Sequence, residues 1–242
     1  MLLNIVSNID VFILCGGKGE RLRSAVSDRP KVLADINGKP FLEILVENLT
    51  AFGFKRIILG VGYLKEQIIG HFKDYNLKNP DLKIEFSEEN HPLGTGGAVK
   101  KIEPFIKSGH FIVMNGDAFF DLDFGKFHDY HLKNNSLVSI ALTRIEDASD
   151  CGIVDLNDGG RITAFKEKIP VKKAGLINAG IYLMNKEIFS HMPLKDVFSL
   201  EYDLFPQILE HSCYGFIGEG KFIDIGVPDR YKKAKKLLTN NQ

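Results

Sequence analysis

Val11-Phe12-Ile13-Leu14-Cys15 runs without a break into Gly16-Gly17-Lys18-Gly19-Glu20-Arg21-Leu22. The apolar run is rich in β-branched and aromatic residues, is too short for a helix and stops at glycine, which reads as a buried strand. Glycines lack Cβ, so the backbone N–H groups of such a loop can approach phosphate oxygens, while Lys18 and Arg21 offset the charge. A strand opening directly into this loop is a phosphate-cradle pattern; the plainer alternative is a tight turn beneath a helix. The string is not a P-loop, because G-x-x-x-x-G-K-[ST] occurs nowhere in the chain, and it lacks the G-x-G-x-x-G order of dinucleotide binding.

Working outward, apolar runs recur at Arg56–Val61, Leu82–Phe86, Phe111–Met114 and Leu137–Leu142, separated by stretches of helical spacing. Pro40 to Phe52 fits a helix that Gly53 can end, with Phe41, Leu45, Leu49 and Phe52 on one side. A second helix is predicted over Leu64 to Tyr75, grouping Ile68, Ile69 and Phe72. This alternation predicts a three-layer α/β fold: a Rossmann-like, mixed but mainly parallel sheet with helices on both faces. After residue 150 the pieces shorten, and Ile153–Leu156 and Ile162–Phe165 flank Asn157-Asp158-Gly159-Gly160, a hairpin-turn composition. The second half should therefore hold a smaller antiparallel part. No Pro/Gly/Ser linker, low-complexity tract or repeat divides the chain, so residues 1–242 are expected to form one domain.

Thirty-one basic residues balance thirty-one acidic ones. Nothing in that balance favours a nucleic acid or an anionic membrane surface. The stretch Met1 to Ile9 has no basic residue and Val11–Cys15 is too short for a signal-peptide core or a membrane span, so a cytoplasmic protein is expected. Cys15, Cys151 and Cys213 are far apart and form no C-x-x-C pair, which speaks against a disulfide framework or a zinc site. The histidines show no metal spacing and read as structural or solvent-facing.

Several polar residues stand where chemistry is expected. Pro30-Lys31 and Gly38-Lys39-Pro40 bring further cations near the end of the first strand. Asn115-Gly116-Asp117 follows the Phe111–Met114 strand, and carboxylates at the carboxyl end of a parallel strand face the ligand crevice. Asp224 alternates with Ile223 and Ile225, so it faces away from its apolar neighbours, where an unpaired carboxylate would be costly and a bound cation would resolve the cost. Asn178-Ala179-Gly180 precedes an apolar strand whose small residues would let a sugar ring lie against backbone.

The Leu14–Leu22 string with Pro30-Lys31 resembles the signature of sugar-1-phosphate nucleotidyltransferases, Cys15 standing where alanine is usual. The resemblance continues in order through Pro92-Leu93-Gly94-Thr95-Gly96-Gly97-Ala98, Asn115-Gly116-Asp117, Glu167-Lys168, Asn178-Ala179-Gly180 and Phe222-Ile223-Asp224-Ile225-Gly226. It implies a nucleotide-binding half over about residues 10–135 and a sugar-phosphate-binding half over about 136–242. It implies nucleotide contacts from Leu14, Gly16, Gly17, Lys18, Gly19, Glu89, Gly94, Thr95 and Gly116, and catalytic roles for Arg21, Lys31 and Asp117. By the same resemblance Glu167, Lys168, Asn178 and Gly180, with Glu201 as a weaker candidate, hold the sugar phosphate, and Asp117 and Asp224 hold Mg²⁺. Few hard oxygen ligands, completed by phosphate and water, are what Mg²⁺ prefers.

Glu89 to Ala98 resembles the guanylyltransferase form of the base loop. A carboxylate at Glu89 accepts hydrogen bonds, and guanine offers adjacent N1–H and N2–H₂ donors. The implied substrates are GTP and a sugar 1-phosphate, with D-glycero-D-manno-heptose 1-phosphate ahead of mannose 1-phosphate. UTP with a hexosamine-type sugar phosphate is the enzymatic alternative. A silent nucleotide-sugar sensor is the alternative from another class, and the presence of Arg21, Lys31, Asp117 and Asp224 speaks against it. A homodimer is a mild expectation from the abundance of two-fold assemblies.

Overall fold

The computed structural model of the chain describes residues 6–148, 152–166 and 173–238. In order they form β1 (Asp10–Leu14), β2 (Asp35–Ile36), β3 (Lys39–Pro40), α1 (Phe41–Phe52), β4 (Arg56–Val61), α2 (Lys65–Lys78) and β5 (Lys83–Glu88). There follow α3 (Gly94–Lys101), β6 (His110–Asn115), β7 (Ala118–Phe120), α4 (Phe124–Lys133), β8 (Val138–Ile145), β9 (Ile153–Leu156) and β10 (Ile162–Lys166). The chain ends with β11 (Gly175–Asn185), β12 (Cys213–Ile217), β13 (Phe222–Asp224) and α5 (Pro228–Leu237). The fold is mixed α/β with a mainly parallel central sheet, as expected.

Two compact units make up the chain. The first comprises residues 1–92, 114–119 and 223–242, the second residues 93–113 and 120–222.

In the first unit β1, β4 and β5 pair in parallel, Val11 against Ile57 and Ile57 against Ile84. Val11, Phe12 and Ile13, and likewise Ile57, Ile58 and Leu59, are consecutive and wholly buried, so neither face of these strands meets water. That is why the strands read as continuous apolar runs without alternation. Arg56 pins their amino ends, donating to Asp10 at 2.6 Å and to Glu85 at 2.7 Å. Helix α1 buries Phe41, Leu45 and Leu49 of the expected stripe and Leu42 and Val46 beside them, while Phe52 is half-buried. Helix α2 runs one turn beyond the predicted Tyr75, since no helix breaker intervenes before Asn79-Pro80.

The second unit carries the antiparallel pairings: β11 against β8, β11 against β9, and β10 against β9. The expected hairpin is present, with the Asn157 side chain accepting from the N–H groups of Gly159 and Arg161 at 3.0 and 2.9 Å. One pairing departs from the expected antiparallel character, because β12 runs parallel to β8. Val138 to Thr143 are all buried, and Phe205 packs on Phe165 and Tyr182 at ring distances of 5.8 and 5.1 Å.

His131 is fully buried in this unit, bonded to Ser139 Oγ at 2.9 Å and to His110 at 3.2 Å. Burial pushes its pKa down from 6.5 to about 3, with the neighbouring histidines adding to the shift. The folded state therefore binds this proton less readily than the unfolded chain. Its contribution to stability is complete above pH 6.5 and is lost as pH falls from 6.5 toward about 3, at up to about 1.4 kcal/mol per pH unit. Ring proton resonances followed by NMR are expected to show His131 neutral throughout pH 5–8, and an ordinary midpoint near 6.5 would contradict its burial.

Candidate active site

In the first unit, β1 ends at Leu14 and the chain turns through Cys15–Gly19 into a 3₁₀ turn, Glu20–Leu22. Among the described residues, no backbone carbonyl takes the N–H of Gly16, Gly17 or Lys18. Gly17 and Lys18 are exposed. Gly116, directly after β6, donates its N–H to Leu14 O at 3.1 Å. A Cβ on Gly116 would lie 2.7 Å from that same oxygen, so only glycine permits the approach.

That contact sets Asp117 beside the loop. Its Oδ2 accepts a short hydrogen bond from Lys31 Nζ, and its backbone oxygen accepts from Ile225 N at 3.0 Å. Ile225 is next to Asp224, so residues more than a hundred positions apart in the chain become neighbours. Asp224 Oδ1 accepts from Gly226 N at 2.5 Å and Oδ2 from Arg230 Nη1. Burial raises the pKa of Asp224, the Gly226 N–H lowers it, the charge of Asp117 raises it further, and Lys31 and Arg21 oppose the rise. Arg21 Nη2 reaches to 3.7 Å from where a Cβ on Gly226 would stand. Arg21, Lys31, Asp117 and Asp224 are thus brought together.

Glu89 joins the same unit. Its N–H bonds Val61 O at 2.7 Å, and its carboxylate lies over Gly16, 3.0 Å from the Cβ that residue lacks. Glu88 instead turns out to solvent and pairs with Lys65 at 2.9 Å. The buried Cys15 thiol is pushed up by burial, and the charges of Asp117 and Glu89 raise it further.

The second unit holds another polar group. Glu201 accepts from Thr95 Oγ1 at 2.8 Å, Ser199 Oγ at 2.7 Å and Tyr182 OH at 3.0 Å. Tyr182 OH accepts in turn from Asn178 Nδ2 at 2.9 Å. Between Asn178 and Tyr182 the register of β11 on β8 shifts, with Gly180 at φ +74°. Asn178 Oδ1 takes the Gly180 N–H at 2.8 Å. Gly94–Ala98, read from the sequence as loop, is the start of α3. Two of its amino-terminal donors are satisfied, since Gly96 and Gly97 donate to Phe198 O at 2.9 and 3.2 Å.

Glu167 and Lys168 lie outside the described residues. Sequence reasoning missed Tyr182, Ser199 and Arg230. Tyr182 sits in an apolar run and reads as core, which it also is; Ser199, two residues before Glu201, carries a recognisable capping pattern and now donates to that carboxylate.

A sheet that opens into a glycine loop ringed by cations and paired carboxylates is the frame of a nucleotide-handling enzyme. The chain belongs to the nucleotidyl transferase family, whose profile it matches over residues 10–241. It is 42% identical to a D-glycero-alpha-D-manno-heptose 1-phosphate guanylyltransferase of Campylobacter jejuni, over 92% of this chain and 97% of that one. It is 39% identical to the enzyme of that name from Aneurinibacillus thermoaerophilus, over 95% and 98% of the two chains. The crystal structure of HddC from Yersinia pseudotuberculosis complexed with GMP-PN superposes with a TM-score of 0.83 at 38% identity, covering 96% of this chain and all of that one.

Nucleotidyl transferases of this family generally use a divalent metal. The donor set fits one: Asp117 and Asp224 offer hard carboxylate oxygens on segments joined by the bond from Ile225 N to Asp117 O, and the charge of Asp117 is felt at Asp224. No cluster of three or more metal-ligating side chains exists among the described residues. No helix of the described residues is long and apolar enough to cross a membrane.

Proposed function

We propose that this chain transfers GMP from GTP to D-glycero-D-manno-heptose 1-phosphate, giving a GDP-sugar and pyrophosphate. The observation that carries the reading is the convergence of Arg21, Lys31, Asp117 and Asp224 beside the Gly16–Gly19 loop. The base preference rests on Glu89, whose carboxylate over Gly16 suits the paired donors of guanine. The sugar preference rests on the likeness to the heptose 1-phosphate enzymes.

In this reading a phosphate oxygen of the sugar 1-phosphate attacks the α-phosphorus in line. The bond from that phosphorus to the oxygen bridging to the β-phosphate breaks, and pyrophosphate leaves with the electron pair. No proton needs to move, so catalysis is positioning and charge stabilisation. Lys31 offsets charge building at phosphorus, while Arg21, Lys18 and the glycine-loop N–H groups hold the departing pyrophosphate. Asp117 and Asp224 would hold Mg²⁺, which when bound neutralises triphosphate oxygens. Gly94 and Thr95 serve the nucleotide; Glu167, Lys168, Asn178, Gly180 and Glu201 serve the sugar phosphate. A cytoplasmic homodimer belongs to the same reading.

The test is a grid of nucleoside triphosphates against sugar 1-phosphates, read by pyrophosphate release. GTP with the heptose phosphate is expected to be used best and mannose 1-phosphate next. Activity confined to UTP or CTP would sink the guanine assignment, and faster turnover of mannose 1-phosphate would keep the base and discard the sugar.

Tyr182→Phe tests the sugar side. It removes the hydroxyl between Asn178 and Glu201 while keeping the ring packed on Phe205. KM for the sugar phosphate is expected to rise about tenfold, the cost of a lost bond to a charged group, with KM for GTP within about twofold. Equal changes in both constants would remove these residues from the sugar subsite.

A further inference from the structure

We infer that Arg230 is a built-in counter-ion that occupies Asp224 in the metal-free protein and competes with the divalent cation for it. The inference rests on the proposed reading of Asp117 and Asp224 as metal ligands, and it concerns a residue that no motif in the sequence singles out.

Both oxygens of Asp224 already have donors. Gly226 N–H holds Oδ1 and Arg230 Nη1 holds Oδ2, in a pair whose side chains are 33% and 17% exposed for Arg230 and Asp224. The helix that carries the guanidinium is anchored. Arg230 lies in the first turn of α5, and that helix is tied down by Tyr231, whose N–H bonds Val227 O at 3.0 Å and whose hydroxyl bonds Asp35 O at 2.6 Å. Asp117 is matched in the same manner by Lys31, with side chains 15% and 29% exposed for Lys31 and Asp117. Each carboxylate of the proposed metal pair thus carries its own cation.

The consequence is electrostatic. Two adjacent carboxylates with no cation would repel one another in a partly buried setting. With Arg230 and Lys31 in place, and the charge of Arg21 also felt at Asp224, the two carboxylates are compensated without metal. A divalent ion entering alone must displace Arg230 and leave a guanidinium uncompensated beside Arg21, whose Nη2 is already close to Gly226. An ion entering with a triphosphate brings the anion that the released cations need. Arg230 therefore makes metal binding weak without nucleotide and couples the two.

The experiment is Mn²⁺ titration of the full chain without nucleotide, read from the electron paramagnetic resonance signal of the free ion. Arg230→Gln, or Arg230→Met if the first variant folds poorly, is expected to bind Mn²⁺ about tenfold more tightly than the unaltered protein, because the competing state is gone. Arg230→Lys keeps a cation and is expected within about threefold of the unaltered protein. Asp224→Asn is expected to lose most of the affinity. Equal affinity in the unaltered protein and Arg230→Gln, with Asp224→Asn weakened, would overturn the counter-ion role and leave the metal ligands standing. Unchanged affinity in Asp224→Asn would remove the metal-ligand reading itself, and this inference with it.

Discussion

Asp117→Asn is expected to lower kcat by a factor on the order of a thousand while leaving the melting temperature within a few degrees of the unaltered protein. The asparagine keeps the shape of the side chain, and the backbone oxygen still accepts from Ile225 N, so the joint between the two carboxylate-bearing segments survives. What disappears is the charge that Lys31 and a divalent ion would share. Pyrophosphate release at saturating substrates checks the rate, and a thermal melt separates lost chemistry from lost fold. Near-normal turnover would remove Asp117 from the catalytic group.

Lys31→Ala is expected to reduce turnover by at least about a hundredfold, the usual effect of deleting one preorganised charged donor. Lys31 opens a 3₁₀ turn whose Val32 and Leu33 are buried, so the backbone position is set by its neighbours and not by the lysine stem. The variant leaves Asp117 without its counter-ion in the metal-free protein, and its melting temperature is expected to respond more strongly to added Mg²⁺. An active Lys31→Ala enzyme would contradict the placement of the triphosphate beside this residue.

Much of the frame was legible because its signals are local. Arg56–Val61 is a strand over the residues its apolar run marks, and α1 begins one residue after the expected Pro40 and ends before Gly53 as its punctuation predicts. The hairpin at Asn157–Gly160 follows from turn chemistry alone. The glycine loop and the Asn-Gly-Asp string are likewise short-range patterns. Partnerships across the chain are different in kind. Nothing in the spacing of Asp224 and Arg230 says that the first turn of α5 folds back on the strand before it. The choice between Glu88 and Glu89 depends on which neighbour reaches in: Lys65 draws the first outward, and the missing Cβ of Gly16 makes room for the second. Nor does an apolar segment announce that the hydroxyl of Tyr182 will be shared by two other polar side chains.

That shared hydroxyl bears on how such an enzyme can change its diet. Thr95, Glu201, Tyr182 and Asn178 form one unbroken chain of hydrogen bonds, its first member proposed for the nucleotide and its last for the sugar. Substitutions along a chain of this kind are not independent, because each donor or acceptor removed leaves the next one to find another orientation. Altering Asn178 to admit a different sugar would reorient Tyr182 and then Glu201. Divergence toward new sugar phosphates would therefore proceed through correlated replacements at these positions, with most single changes passing through a poorer enzyme.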